Sequence, residues 1–351
     1  MSSSTPTGYN YLAERYPLLG RRLDRVPIGC FPTPLDPLED GLWIKRDNAT
    51  DTLYGGNKVR KLEYLLGRAR ARGASDVLTF GGVGSNHALA TSLHARSLDL
   101  GAHAMLMPQL ATDFIDATLA RHEHNGTALQ PWPRRRPDRV AALRELREKS
   151  VGGLAVVPLG GTSAIGSIGY VNAAFELARQ WSASRPPPGR IYVAAGTMGT
   201  AAGLAVGLAL LKWPTEVVGV RVTAPSQVND PALQRLCHKI VQRLHHAWHG
   251  ISLETADQVS VTLRHDYLGK DYADPTAASH DAVAYARTHW RLPLETTYTG
   301  KAMACLLDDM PGKPASEDWV YWHTYAGSPL RGNMALAPQG NYARFRELLY
   351  A

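Results

Sequence analysis

The sequence predicts an α/β protein whose mainly parallel sheets carry helices on both faces. Two observations lead there. Short β-rich runs alternate with helical stretches along nearly all of the 351 residues. In addition, glycine-rich turns follow the runs ending near 80, 158 and 195, each turn opening into a helix, at the strand ends where such sheets gather ligands.

In chain order the expected strands are "LWIK" (42–45), "DVLTF" (76–80), "AHAMLM" (102–107), "LAVVP" (154–158), "RIYVAA" (190–195), "EVVGVRV" (216–222), "QVSVTL" and "WVYWHT" (319–324). Helices are expected at about 60–72, 86–99, 138–149, 165–182, 200–212, 231–248, 277–290 and 300–310. The proline-rich "SRPPPGR" (184–190) separates a helix from a strand and marks a hinge into a second sheet. Length favours two domains, or one large domain with an insertion.

Composition excludes several classes. The chain is 44% hydrophobic and 20% charged, enough to bury a sizeable core, and has no apolar run of membrane-spanning length. The opening "MSSSTPTGYNYLAERYP" lacks a basic segment followed by an apolar core, and Cys30, Cys237 and Cys305 form no CxxC pair. Reduced thiols and a cytoplasmic setting are expected. The net charge of +7 raises nucleic acid as a partner. The densest basic run, "PWPRRRPDR", however, is broken by proline and has no interleaved aromatic platform, so attraction of anionic small molecules accounts for the charge as well.

The chemistry gathers in four stretches. "TLYGGNKVRKLEYLL" sets Lys58 where a glycine pair stiffens into a helix, with Lys61 one turn further on the same face. "IYVAAGTMGTAAGLAVGLALL" reads as a buried strand, a Gly/Thr turn and an apolar helix. Its backbone N–H groups suit a phosphate, with Thr197 and Thr200 as hydroxyl donors. It lacks the Walker ending, and a turn that merely packs a helix on a sheet is the other reading. "LTFGGVGSNHALATSLHARSL" repeats the arrangement, with Ser85, Asn86 and His87 either capping a helix or facing a ligand. His87 at the third glycine position and no acid after the next strand count against a dinucleotide site. "GGTSAIGSIGYVNAAFELA" is the third such turn. His245 and His249 stand at i, i+4, yet no acidic residue separates them and no third ligand is in view, so a polar helix face is favoured over a metal.

A lysine beside glycines, a phosphate loop without hydrolytic chemistry and a Ser-Asn-His turn together suit pyridoxal phosphate. The sequence resembles the 1-aminocyclopropane-1-carboxylate deaminase/D-cysteine desulfhydrase family of fold type II pyridoxal-phosphate enzymes. The resemblance runs from "FPTPLDPLE" to "HTYAGSPL" and rests on "YGGNKVRKLEYLL", "GSNH", "GGTSAIGSIGYV", "GTMGTAAG", "DYADPT" and "YTGKA". It implies a large cofactor domain (1–60 and 171–351), a small domain (61–170), a homodimer and a small amino-acid substrate. It further implies Lys58 as Schiff-base lysine, Asn86 at the ring hydroxyl, and Ser85 and His87 at the substrate carboxylate. Gly196, Thr197, Met198, Gly199 and Thr200 would hold the phosphate with Lys61. Tyr272 and Tyr298 would face substrate and cofactor. Thr324 would lie near the ring nitrogen, and Thr299 replaces the glutamate of the deaminases.

Four positions depart from the family pattern. Gly84 stands for glutamine, "ALATS" for the arginine and glutamine after "SNH", Met198 for glycine, and Tyr325-Ala326 for a Gly-Gly pair. With threonine at the ring, the resemblance implies β-elimination from a cysteine-like amino acid, D-cysteine first. Ring-opening deamination, sulfite release from L-cysteate and biosynthetic β-replacement are the rivals, and a basic nucleic-acid-binding protein without catalysis is the alternative of another class.

Overall fold

The computed structural model describes residues 8–109, 113–133, 135–326 and 345. The expected α/β class holds. The chain forms two compact units, Met1–Tyr64 with Thr162–Gly327 and Leu65–Gly161 with Ser328–Ala351.

The first unit is built on a 6-stranded sheet. Its strands are β1 (Leu35–Glu39), β2 (Leu42–Arg46), β7 (Arg190–Ala195), β8 (Glu216–Arg221), β9 (Val261–Arg264) and β10 (Trp319–His323), in the order β1-β2-β10-β7-β8-β9. All neighbours pair parallel except β1 with β2. Alternate residues of the same strands pack on opposite faces, as the two-residue period of a strand requires. Val320, Trp322, Ile191, Val193 and Val217 share a core with Tyr170, Ala173, Ala174, Ala201, Leu204 and Ala205 from helices Ala164–Gln180 and Gly199–Leu211. Trp319, Tyr321, Tyr192, Val218 and Val220 meet Ala282, Ala286, Met303 and Leu306 from helices Ala277–Trp290 and Thr299–Asp309. Gly203 and Gly207 let the two helices of the first core approach closely, since a methyl on either would meet the Ala164–Gln180 helix below 2.6 Å. The sheet is therefore covered twice, which is why its strands read as continuous apolar runs.

The second unit carries a 4-stranded parallel sheet of β3 (Asp76–Gly82), β4 (Gly101–Met107), β5 (Ala128–Pro131) and β6 (Leu154–Val156), in the order β5-β4-β3-β6. Val83, Ala88, Ala104, Leu106, Ile115 and Leu119 pack together, and Leu78, Met105 and Leu146 form a second cluster. Helix Asp113–His124 and strands β1 and β5 were not expected from the sequence. Among the described residues no helix is long and apolar enough to cross a membrane. Cys30, Cys237 and Cys305 are all free thiols.

Candidate active site

Lys58 opens the helix Lys58–Ala71 directly after Gly55-Gly56. Its amine donates to Asn57 Oδ1 at 2.7 Å, and Asn57 Nδ2 donates to Thr200 Oγ1 at 3.2 Å. The Asn57 N–H donates to the Thr324 carbonyl at 3.2 Å. These bonds tie the lysine to the start of the Gly199–Leu211 helix and to the end of β10. Desolvation lowers the Lys58 amine to about 8, and the Glu295 carboxylate pulls the other way. Such an amine is unprotonated far more often at neutral pH than a surface lysine.

A buried ion cluster fixes the start of this helix. The Arg60 guanidinium donates to Asp47 at 2.7 Å and to Glu176 at 2.8 Å, and Lys45 also donates to Glu176. All four side chains are at most 1% exposed. The Tyr170 hydroxyl donates to Asp47 at 2.6 Å and lies 3.2 Å from the Asn57 carbonyl, joining the cluster to the residue that holds Lys58. The charges balance, and Arg60 with Lys45 holds Glu176 down to about 2 against the pull of burial.

Next to Lys58 lies a cradle for an anion. Lys61 Nζ donates to Thr162 Oγ1 at 3.3 Å, and Thr162 Oγ1 is 2.7 Å from Thr197 Oγ1. A methyl group placed on Gly199 would stand 2.6 Å from Thr162 Oγ1, 2.9 Å from Lys61 Nζ and 3.0 Å from Ser167 Oγ. Two hydroxyls and a lysine amine thus converge on the first residue of a helix, where backbone N–H groups lack partners within the helix. Ser167 Oγ is buried without a hydrogen-bond partner. Burial, helped by Lys58, drives the Lys61 amine well below its usual pKa, which a bound anion would reverse. Donors of this kind, with one orphaned hydroxyl, fit a phosphate. The expected loop Gly196–Thr200 and Lys61 do come together; Thr162 and Ser167 were not singled out. Met198 enters the helix at φ 63, ψ −13, a left-handed turn that costs a non-glycine residue about 1–2 kcal/mol. That explains why glycine would be the ordinary choice there.

Across the same unit, the Tyr272 and Tyr298 hydroxyls lie 2.6 Å apart. Both are raised above the usual phenol pKa, chiefly by burial. Tyr298 also touches the phosphate-type loop, its Cε1 standing 3.0 Å from where a Gly196 Cβ would be. Thr299 begins the next helix, and its hydroxyl donates to Glu295 Oε1 at 2.9 Å. The Glu295 carboxylate also accepts the N–H groups of Thr297 at 2.7 Å, Tyr298 at 3.0 Å and Thr299 at 2.7 Å. Sequence reasoning missed Glu295. Its signal was an acid four residues ahead of Thr299, set to cap a helix. The Thr299 side chain therefore does not act as an isolated neutral hydroxyl, because a carboxylate stands directly behind it.

The second unit carries Ser85, Asn86 and His87. Ser85 caps the Asn86–Arg96 helix by accepting from Ala88 N at 3.2 Å. His87 is 4% exposed and its Nε2 lies 3.0 Å from Thr79 Oγ1 on β3. Gly84 is explained by a neighbour: Gln109 Oε1 accepts from Gly84 N at 3.2 Å, and a Gly84 Cβ would lie 2.8 Å from Gln109 Nε2. A glutamine amide thus does stand at the turn, delivered from the end of β4. His245 Nδ1 is 2.7 Å from the Ile251 carbonyl and its Nε2 is 3.1 Å from His249 Nδ1, so the pair is engaged locally.

A sheet covered on both faces, a desolvated lysine and a phosphate cradle at a helix N-terminus define a cofactor enzyme of the α/β class. The pattern described as pyridoxal-phosphate dependent enzyme matches residues 26–324, and the chain belongs to that family, in its 1-aminocyclopropane-1-carboxylate deaminase/D-cysteine desulfhydrase branch. The chain is 33% identical over 313 residues to nocardicin C-9' epimerase of Nocardia uniformis subsp. tsuyamanensis, covering 86% of this chain and 92% of that one. It is 33% identical over 320 residues to D-cysteine desulfhydrase of Yersinia enterocolitica, covering 88% and 94%. A solved structure described as an ACC deaminase homologue superposes with a TM-score of 0.76 at 29% identity, covering 95% of this chain and 98% of the other. The protein is a pyridoxal-phosphate-dependent enzyme.

Proposed function

We propose that this enzyme catalyses β-elimination on a small amino acid bearing a good leaving group, with D-cysteine the first choice. With water, D-cysteine would give pyruvate, ammonia and hydrogen sulfide. The observation that carries the reading is a desolvated Lys58 in the same unit as a buried tyrosine pair, with Glu295 acting on Lys58 and capping the residue Tyr298. The identity to D-cysteine desulfhydrases supports it.

When bound, pyridoxal phosphate supplies an aldehyde for the substrate amine and a ring that withdraws electrons from the α-carbon. Lys58 is the residue to carry it, and Lys61, Thr162, Ser167 and the Gly196–Thr200 backbone would hold its phosphate. Lys58, as a free amine, takes the α-proton, a role its lowered pKa of about 8 suits. A thiolate leaves readily because a thiol has a pKa near 8.5, and the Tyr272–Tyr298 pair stands ready to donate a proton to it or to the product. By the family resemblance, Asn86 would serve the ring hydroxyl, and Ser85 and His87 the substrate carboxylate. The protein would act as a cytoplasmic homodimer, without nucleic-acid or membrane partners.

A second reading is epimerisation, favoured by the same two features. Lys58 could take the α-proton and become an ammonium while a tyrosine hydroxyl gives its own proton to the α-carbon, and one relative is named for epimerisation. The test compares initial rates on D-cysteine, L-cysteine, L-cysteate, β-chloroalanine and 1-aminocyclopropane-1-carboxylate, with deuterium uptake at the α-carbon measured alongside. Pyruvate release fastest from D-cysteine is expected. Deuterium wash-in with no keto acid would replace elimination by epimerisation. Faster 2-oxobutanoate release from the cyclopropane substrate would sink the assignment.

A further inference from the structure

We propose that Lys301 is a positioning residue: it clamps the loop 268–274 through two backbone carbonyls and so sets the Tyr272 hydroxyl against that of Tyr298. Lys301 is 0% exposed, and its amine donates to the Leu268 carbonyl and, at 2.7 Å, to the Asp274 carbonyl. Among the described residues no carboxylate forms an ion pair with it. A buried ammonium costs several kcal/mol unless hydrogen bonds and nearby charge compensate, so packing alone gives no reason for lysine here. Both of its carbonyl partners belong to one loop.

That loop also holds itself in shape. Asp274 Oδ2 accepts from Lys270 N at 2.8 Å, which closes the turn over 270–274. Gly269 at φ 80 and Ala273 at φ 63 turn the chain through left-handed conformations, the second at a cost for a residue with a side chain. Such a conformation persists only where the surroundings enforce it. Tyr272 stands beside Ala273 and reaches Tyr298 at 2.6 Å.

The helix Thr299–Asp309 supplies the whole arrangement. Tyr298 is its N-terminal capping residue, Lys301 lies in its first turn, and Asp308 accepts from the Tyr267 hydroxyl at 2.7 Å, just ahead of the loop. One helix thus carries Tyr298 directly and Tyr272 through Lys301. The contribution of Tyr272 to turnover rests on the elimination reading given above; the clamp itself does not.

The test uses the holoenzyme with Lys301→Met and Lys301→Gln, the second keeping two amide N–H donors without charge. Lys270 is exposed within the loop, so limited trypsin digestion reports loop opening directly. Cleavage after Lys270, mapped by mass spectrometry, is expected to be at least about tenfold faster in Lys301→Met than in wild type. The cofactor absorption band should remain, while kcat on the amino acid turned over fastest falls as far as in Tyr272→Phe. In a Tyr272→Phe background Lys301→Met should add no further loss. Folded variants with wild-type cleavage at Lys270, or losses that add in the double variant, would overturn the proposal. Failure of both variants to fold would assign Lys301 to core packing and overturn it too. If none of the amino acids offered is a substrate, the elimination reading falls while the trypsin result still decides the clamp.

Discussion

The Thr299 hydroxyl donates to the Glu295 carboxylate at 2.9 Å, and the same carboxylate caps the backbone of three successive residues. Glu295 therefore stabilises the helix that carries Tyr298 and also acts on Lys58, whose ammonium form it favours. Glu295→Gln removes the charge while leaving one acceptor oxygen. It should lower stability by about 1–2 kcal/mol, visible as a fall in Tm. It should also move the acidic limb of the pH–rate profile to lower pH, because losing a negative neighbour lowers the Lys58 pKa further. A limb that stays in place would show that Lys58 is not the group titrating there.

Lys58→Ala should fold and bind cofactor reversibly, yet lose its covalent attachment and all turnover. The lysine contributes chemistry, while the neighbouring Asp47–Arg60–Glu176–Lys45 cluster holds the helix start. Mass spectrometry after borohydride reduction identifies the modified residue. Label found on Lys61 or Lys301 would move the assignment.

Gly199→Ala tests the cradle. Its methyl would stand 2.6 Å from Thr162 Oγ1 and 2.9 Å from Lys61 Nζ, inside the space a phosphate needs. Cofactor affinity, followed by absorbance titration of the apoenzyme, should fall at least about tenfold, which is about 1.4 kcal/mol. Ser167→Ala, which deletes only the orphaned hydroxyl, should weaken binding less and leave stability unchanged. Equal affinity in both variants would place the phosphate elsewhere.

What the sequence revealed follows the range of the interactions involved. Strands β7, β8 and β10 were legible because burial on both faces makes them continuous apolar runs. β1 was missed because "LDPLE" has no fully buried residue and carries a proline at its centre, and β5 because it spans only Ala128–Pro131. Helix Asp113–His124 buries Ile115 and Leu119 among mostly polar residues, a faint periodic signal. Lys58 stood out through its adjacent glycines. Thr162 and Ser167 did not, since their convergence on Lys61 joins segments about a hundred residues apart, although "GGTSAIGS" itself reads as a ligand-type turn. Gln109 brings its amide to Gly84 from beyond the end of β4, which no local motif can show.

Tyr272→Phe and Tyr298→Phe separate the two members of the 2.6 Å pair. Each should keep the cofactor spectrum and reduce kcat by about 10²-fold if its hydroxyl moves a proton in turnover. Because each hydroxyl is the other's partner, the double variant should lose little more than the worse single one. Unchanged kcat in both variants would reduce the pair to buried aromatic packing.

The last prediction concerns acid. His323 ends β10, is 0% exposed, and has Nε2 2.9 Å from the Pro293 carbonyl. A carbonyl only accepts, so Nε2 carries the proton, and Nδ1 is buried without a partner. Burial lowers the ring to about 4. The native state therefore binds fewer protons than an unfolded chain, whose histidines titrate near 6.5. Stability is full above about pH 6.5 and is lost as pH falls toward about 4, where the native ring protonates too and the loss from this group stops. Over that window His323 accounts for about 3 kcal/mol, at about 1.4 kcal/mol for each pH unit. His122, lowered to about 3 by burial, acts in the same direction in the other unit. Tm measured by circular dichroism between pH 7.5 and pH 4.5 should fall steeply in the wild type. His323→Asn should be less stable at pH 7.5 yet lose less on acidification; a Tm that falls as steeply as the wild type's would remove His323 as a source of acid sensitivity.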